Sequence, residues 1–173
     1  MLDTRNAPVN VYLSAGSNIE PEENLRMACD ELESAYGDLT LSSVYQNPAV
    51  GFEGEDFLNM LIGFSTRRRP EQIVDVLERL HQKAERVRQD NPFCSRTLDL
   101  DLLLYGDMVR RQMKLPHTDI DKYSFVVAPL AEVAPELRHP VNGKTMEQLW
   151  DDFEPVEHHM HKVDIGLDHV ATA

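Results

Sequence analysis

Apolar and polar positions along the chain alternate between two periods. Val9, Val11 and Leu13 fall on every second position of VNVYLSAGSN before a Gly-Ser-Asn turn, which predicts a strand over residues 9–18. Pro21 then suits the first turn of a helix, and Leu25, Ala28, Leu32 and Ala35 recur at helical spacing up to Gly37. A second strand is expected over residues 39–45, a polar glycine-bearing stretch NPAVGFEGED follows, and a third strand covers residues 57–64. Ile73, Val74, Leu77, Leu80, Ala84 and Val87 form one stripe of a helix starting near Pro70, and DLDLLLY reads as the next strand. After a loop containing LPH, SFVVAPLAEVAPEL is expected to start extended and pass into a short helix before Pro135. Thr145 and Gln148 have capping-box spacing ahead of Leu149, Trp150 and Phe153. No repeat or linker divides the chain. The reading is one α+β domain over residues 1–153, a sheet with helices on its faces, and a polar tail over residues 154–173 containing HHMH.

Composition narrows the chemistry. A formal net charge of −13 over 173 residues disfavours nucleic-acid and anionic-membrane partners, so a polyphosphate ligand would need a local basic cluster or metal ions. Cys29 and Cys94 are far apart with no metal-type spacing, which favours free thiols in a reducing compartment. No apolar run approaches membrane-spanning length and the N-terminus has no signal-peptide pattern, so a cytoplasmic protein is expected. No obligatory protein partner is implied.

The strand beginning at Leu98 carries the sharpest signal. Side chains alternate across a strand, so Leu98, Leu100, Leu102 and Leu104 are expected on the core face while Asp99 and Asp101 share the other. Stacked carboxylates repel unless a cation or proton lies between them, and Mg²⁺ prefers such oxygen ligands. Taken alone, the strand could equally be amphipathic with a solvated acidic face. Immediately upstream, RVRQDNPFCSR brings Arg86, Arg88 and Arg96 next to the aspartates in an otherwise acidic chain. Carboxylates able to hold metal beside guanidinium groups describe a phosphoryl-transfer site, although surface ion pairs would look the same in sequence. Residues 89–95 are expected to form a loop that closes over substrate. Phe57 and Asn59 share one strand face, where a ring and a carboxamide could receive a flat heterocycle, with Asn47 and Pro48 nearby, although an Asn merely satisfied at a strand start would look the same.

In order, YLSAGSN, SSVYQNPAVGFEGEDFLN, RVRQDNPFCSRTLDLDLLLYGD, LPH and SFVVAPLAEVAPELRHP resemble the 6-hydroxymethyl-7,8-dihydropterin pyrophosphokinase family. The resemblance implies a ferredoxin-like, mainly antiparallel sheet with helices on both faces, and transfer of pyrophosphate from ATP to a pterin alcohol in folate biosynthesis. It also implies Asp99 and Asp101 as ligands of two Mg²⁺ ions, with Arg86, Arg88, Arg96 and His117 on the phosphates. Phe57 and Phe125 would sandwich the pterin, Asn59 would read its edge, and Asn47 would belong to the contacting loop. Three places depart from the family pattern: Leu80-His81 and Glu85-Arg86 replace Ile-Glu and Gly-Arg, Phe93-Cys94-Ser95 stand where some members have Trp and Gly-Pro, and Tyr123 replaces an arginine. They leave a nucleotide contact at His81 open.

Two alternatives bear on function. Nucleotidyltransferases of the polymerase-β type also pair Gly-Ser with two acids, but at short separation, whereas Gly16-Ser17 lie about eighty residues before Asp99 by subtraction of positions. A degenerate homologue that only binds nucleotide or pterin would explain the departures, yet both aspartates, the arginines and the aromatic pair are retained.

Overall fold

The computed structural model describes residues 7–49, 53–86, 98–153 and 159–167, with only the backbone of Arg86. Strand β1 (Val9–Ser17) leads to α1 (Pro21–Tyr36), which has Pro at its first turn, Glu22 and Glu23 beside its positive end, and Gly37 at φ 83° closing it through a bond to the Glu33 carbonyl. The expected single second strand is split into β2 (Thr40–Leu41) and β3 (Val44–Asn47). The break falls at buried Ser42, whose hydroxyl donates to the Ser43 carbonyl and accepts the Leu61 amide. A side chain competing for backbone groups interrupts the ladder there.

Strand β4 (Phe57–Thr66) runs into α2 (Pro70–Arg86), where Ile73, Val76, Leu77, Leu80 and Ala84 form the buried stripe. Val74, expected in that stripe, is 42 % exposed. One helical position from Ile73 is a rotation of about 100°, which takes it off the face that Val76 joins. β5 (Asp99–Tyr105) follows, then α3 (Asp119–Lys122), α4 (Ser124–Val133), α5 (Met146–Asp151) and β6 (His161–Val163). The extended start expected before α4 is absent: the segment is helical from Ser124, with Pro129 inside. A continuous apolar run does not distinguish a buried helix from a strand. At α5 the Thr145–Gln148 capping box forms in both directions.

The sheet order is β5-β1-β4-β3-β6, with β2 also on β4, and these pairs are all antiparallel. α1 and α2 bury one face through Val11, Leu13, Leu25, Leu32, Ile62, Leu77 and Leu100. α3, α4 and α5 bury part of the other through Leu61, Leu103, Ile120, Val127, Leu130 and Met146. This is the expected α+β sheet with helices on both faces. Leu104 departs from the expected alternation. A bulge between Tyr12 and Leu13 leaves Leu103 without a facing residue, so Leu103 and Leu104 both join the second cluster while Leu98, Leu100 and Leu102 stay in the first.

Residues 161–163 do not behave as a polar tail. They add β6 to β3, and Ile165 is buried in the first cluster. Val163 and Ile165 alternate over too short a span to stand out from their charged neighbours. Cys29 is a free buried thiol, pushed up to about 12 by burial and by Asp30 and Glu33; Cys94 lies outside the described residues. Among the described residues no helix is long and apolar enough to cross a membrane.

Candidate active site

Sheet register brings the candidate residues together. Gly16 of β1 faces Asp99 of β5 on one side and Asn59 of β4 on the other, and Asn59 faces Tyr45 of β3. Ser14 likewise lies between Asp101 and Leu61, and Phe57 faces Asn47. Directly paired residues share a sheet face. Leu61 belongs to the α3–α5 cluster, so Asp99, Asp101, Asn47, Phe57 and Asn59 all occupy that second face. The Asp99 and Asn59 backbones are two interstrand spacings apart, about 10 Å.

Gly16 is what lets the two halves meet. A Cβ there would stand 2.6 Å from Asn59 Oδ1, so the amide lies over β1 only because the side chain is missing. Asn59 is buried and donates through Nδ2 to Asn47 Oδ1 at 2.5 Å, while Asn47 Nδ2 donates to the Pro48 carbonyl at 3.1 Å. This chain of amides fixes which way Asn59 points. Phe125, on the first turn of α4, stacks on Tyr123 with ring centroids 5.0 Å apart. Glu132 on the last turn fastens the same helix to β3, accepting from Ser43 Oγ at 2.7 Å and Tyr45 Oη at 2.5 Å. A cavity of about 270 Å³ is lined by Asn47, Pro48, Tyr123, Phe125, His159 and Met160, among others.

On the other side, β5 is an edge strand whose outer rim is occupied. His81 Nε2 accepts the Leu100 amide at 2.9 Å, and the His117 amide donates to the Leu103 carbonyl at 2.9 Å. The second bond holds the LPH loop against β5. His117 Nδ1 accepts the Asp119 amide at 3.2 Å, which puts the proton of a neutral imidazole on Nε2, 4.0 Å from Asp101 Oδ1. Burial, then the neighbouring Asp99 charge, raise the Asp101 carboxyl above its ordinary range; His117 works in the opposite direction. Asp101, His117 and Asp119 have ligand atoms within 4.8 Å of one another, the group of this kind found among the described residues.

The structure therefore brings together Asp99, Asp101 and His117 on one side of Gly16 and Asn47, Phe57 and Asn59 on the other, with Phe125 beside Asn47 at the cavity. The side chain of Arg86, all of Arg88 and Arg96, and the loop over residues 89–95 lie outside the described residues. Sequence reasoning assigned no role to Asp119 or to Gly16 within the site, and marked His81 only as a departure from the family pattern at a nucleotide contact. Glycine inside an alternating strand was a signal for close approach, and Asp119 stands two residues from His117, but nothing in the sequence marked His81 as a partner of the β5 backbone.

The profile of the family described as 7,8-dihydro-6-hydroxymethylpterin-pyrophosphokinase matches residues 12–135. The chain belongs to this family. It is 31 % identical over 143 residues to the 2-amino-4-hydroxy-6-hydroxymethyldihydropteridine pyrophosphokinase of Aquifex aeolicus, covering 80 % of this chain and 89 % of that one. With the enzyme of the same name from Haemophilus influenzae it shares 31 % identity over 162 residues, 90 % of this chain and 99 % of that one. Among solved structures it is similar to Plasmodium falciparum HPPK-DHPS, wild type with pterin and p-hydroxybenzoate, at a TM-score of 0.70 and 13 % identity. That alignment covers 93 % of this chain and 47 % of the other, so the chain spans about half the length of that structure, and the likeness is one of fold. The pyrophosphokinase fold is thus the ferredoxin-like α+β arrangement expected from the motifs.

Proposed function

We propose that this pyrophosphokinase transfers the pyrophosphoryl group of ATP to the hydroxyl of 6-hydroxymethyl-7,8-dihydropterin, giving AMP and the pterin diphosphate, in cytoplasmic folate biosynthesis. The observation that carries the reading is the register Asp99–Gly16–Asn59, which sets a carboxylate and a buried amide on one sheet face, on either side of β1.

Asn59, with its orientation fixed by Asn47, hydrogen-bonds the amide-like edge of the pterin, and Phe57 and Phe125 supply the ring faces. The hydroxymethyl group then projects across Gly16 toward Asp99 and Asp101. The hydroxyl gives up its proton to solvent as its oxygen attacks the β-phosphorus, the bond from that phosphorus to the oxygen bridging it to the α-phosphorus breaks, and AMP leaves with that oxygen. Arg86, Arg88, Arg96 and His117 hold charge on the phosphates. Positioning and charge neutralisation suffice for such a transfer, and no covalent enzyme intermediate is needed.

The donor set suits Mg²⁺: Asp99 and Asp101 offer hard carboxylate oxygens, and burial together with the neighbouring Asp99 charge raises the Asp101 carboxyl, a cost that a bound cation would offset. Asp99 and Asp101 would hold two ions, with Asp119 close by. Bound there, they would supply neutralisation of the polyphosphate and a more acidic attacking hydroxyl. Incubating the protein with Mg-ATP, with and without the pterin alcohol, tests the function. AMP formed only with the pterin supports it; AMP formed at the same rate without it contradicts it.

A further inference from the structure

Residues 159–167 lie beyond the stretch 12–135 that the family profile matches, yet His159 and Met160 line the cavity that Asn47 and Phe125 also line. β6 pairs with β3 through Val44–Val163, Tyr45–Lys162 and Gln46–His161. Just beyond it, Ile165 is buried in the core and its carbonyl accepts from the Arg26 guanidinium. These anchors fix the segment at the far edge of the sheet from β5. The antiparallel register, continued by one and two residues, carries Met160 and His159 alongside Asn47 and Pro48. Both residues line the cavity there, opposite Tyr123 and Phe125.

We propose that His159 and Met160 form the outer wall of the pterin site and set its affinity for the heterocycle. This rests on the function proposed above. The cavity already contains Asn47, which orients the pterin-reading Asn59, and Phe125, which supplies a ring face. A thioether is polarisable and adapts its shape, so Met160 suits the edge or face of a flat aromatic ligand, and His159 adds an amphipathic ring at the mouth. The wall stands at the sheet edge opposite the one that carries Asp99 and Asp101, so it governs the pterin and leaves the nucleotide alone.

The test is calorimetric titration of the full chain with 6-hydroxymethyl-7,8-dihydropterin and, separately, with a non-hydrolysable Mg-ATP analogue, alongside steady-state kinetics. The variants are His159→Ala/Met160→Ala, which removes the wall, and Met160→Trp, which crowds it. His159 is exposed and Met160 half-buried, so Tm should stay near that of the wild type. The double variant should bind pterin about fivefold more weakly, with KM for pterin raised alike, kcat unchanged at saturation and analogue binding unchanged. Met160→Trp should also weaken pterin binding. Unchanged pterin affinity in both variants, or equal loss for both ligands, overturns the wall while leaving the proposed function standing. Failure of the wild type itself to bind pterin overturns the proposed function and the wall with it.

Discussion

Asp101 is the residue at which electrostatics and function pull apart. Its carboxyl is raised by burial and by Asp99, so its folded-state pKa lies above that of the unfolded chain. Such a group favours folding at low pH, and that contribution is lost as pH rises through the folded value. At neutral pH the ionised Asp101 carboxylate is therefore a local cost in metal-free protein. Asp101→Asn should raise the metal-free Tm at pH 7 relative to the wild type, with the gap narrowing on acidification toward the usual carboxylate range; a lower Tm at pH 7 would mean the carboxylate is already compensated. Gly16 gives a second prediction at this scale. In Gly16→Ala the new methyl meets Asn59 Oδ1 at 2.6 Å and must displace it, so pterin affinity should fall by about 1–3 kcal/mol, the scale of a lost buried hydrogen bond, with little change for an ATP analogue. Binding titrations with both ligands check it. That Asp99 shares a face with Asp101, and Phe57 with Asn59, could be read from strand alternation alone, because a period of two assigns faces without knowledge of neighbours. The roles of Gly16 and His81 depend on which strand or helix lies alongside, and alternation carries no such information.

At the scale of elements, one carboxylate adds a polar tie to the apolar packing that holds α4 on the sheet. Glu132 accepts from Ser43 and from Tyr45, whose phenol is pushed up by burial and by this bond. The same helix carries Phe125 at its other end. Glu132→Ala should cost about 1–3 kcal/mol of stability by leaving both hydroxyls short of an acceptor, and should weaken pterin binding more than nucleotide binding. Denaturant unfolding and paired titrations separate the effects. Helices α1 and α2 were legible because their apolar spacing, Pro starts and the Gly37 stop agree with one another. The β5 bulge, the break at Ser42 and the helical start of α4 were not. Each is decided by a partner distant in sequence: β1 for the bulge, Leu61 for Ser42, and the sheet face for α4. β6 escaped for the same reason, since three residues acquire strand character only by pairing with β3.

At the scale of the whole molecule, a strongly acidic chain needs local positive charge to hold a polyphosphate substrate. With a formal net charge of −13, attraction of ATP must come from the proposed metal ions and the arginines that precede β5. In the proposed site the sheet separates labour between its two sides of β1, phosphates toward β5 and heterocycle toward β3. This division is the central claim, and one set of kinetic and binding measurements tests it most directly: AMP and pterin diphosphate formation, with Kd for each ligand, in the wild type, Asp99→Ala, Asp101→Ala and Asn59→Ala. Either aspartate variant should lose at least about a hundredfold in kcat, the scale of several kcal/mol of charge stabilisation, while still binding pterin. Asn59→Ala should lose pterin affinity and recover turnover as pterin approaches saturation. Full activity in either aspartate variant, or an Asn59→Ala defect equal for pterin and nucleotide, would contradict this division.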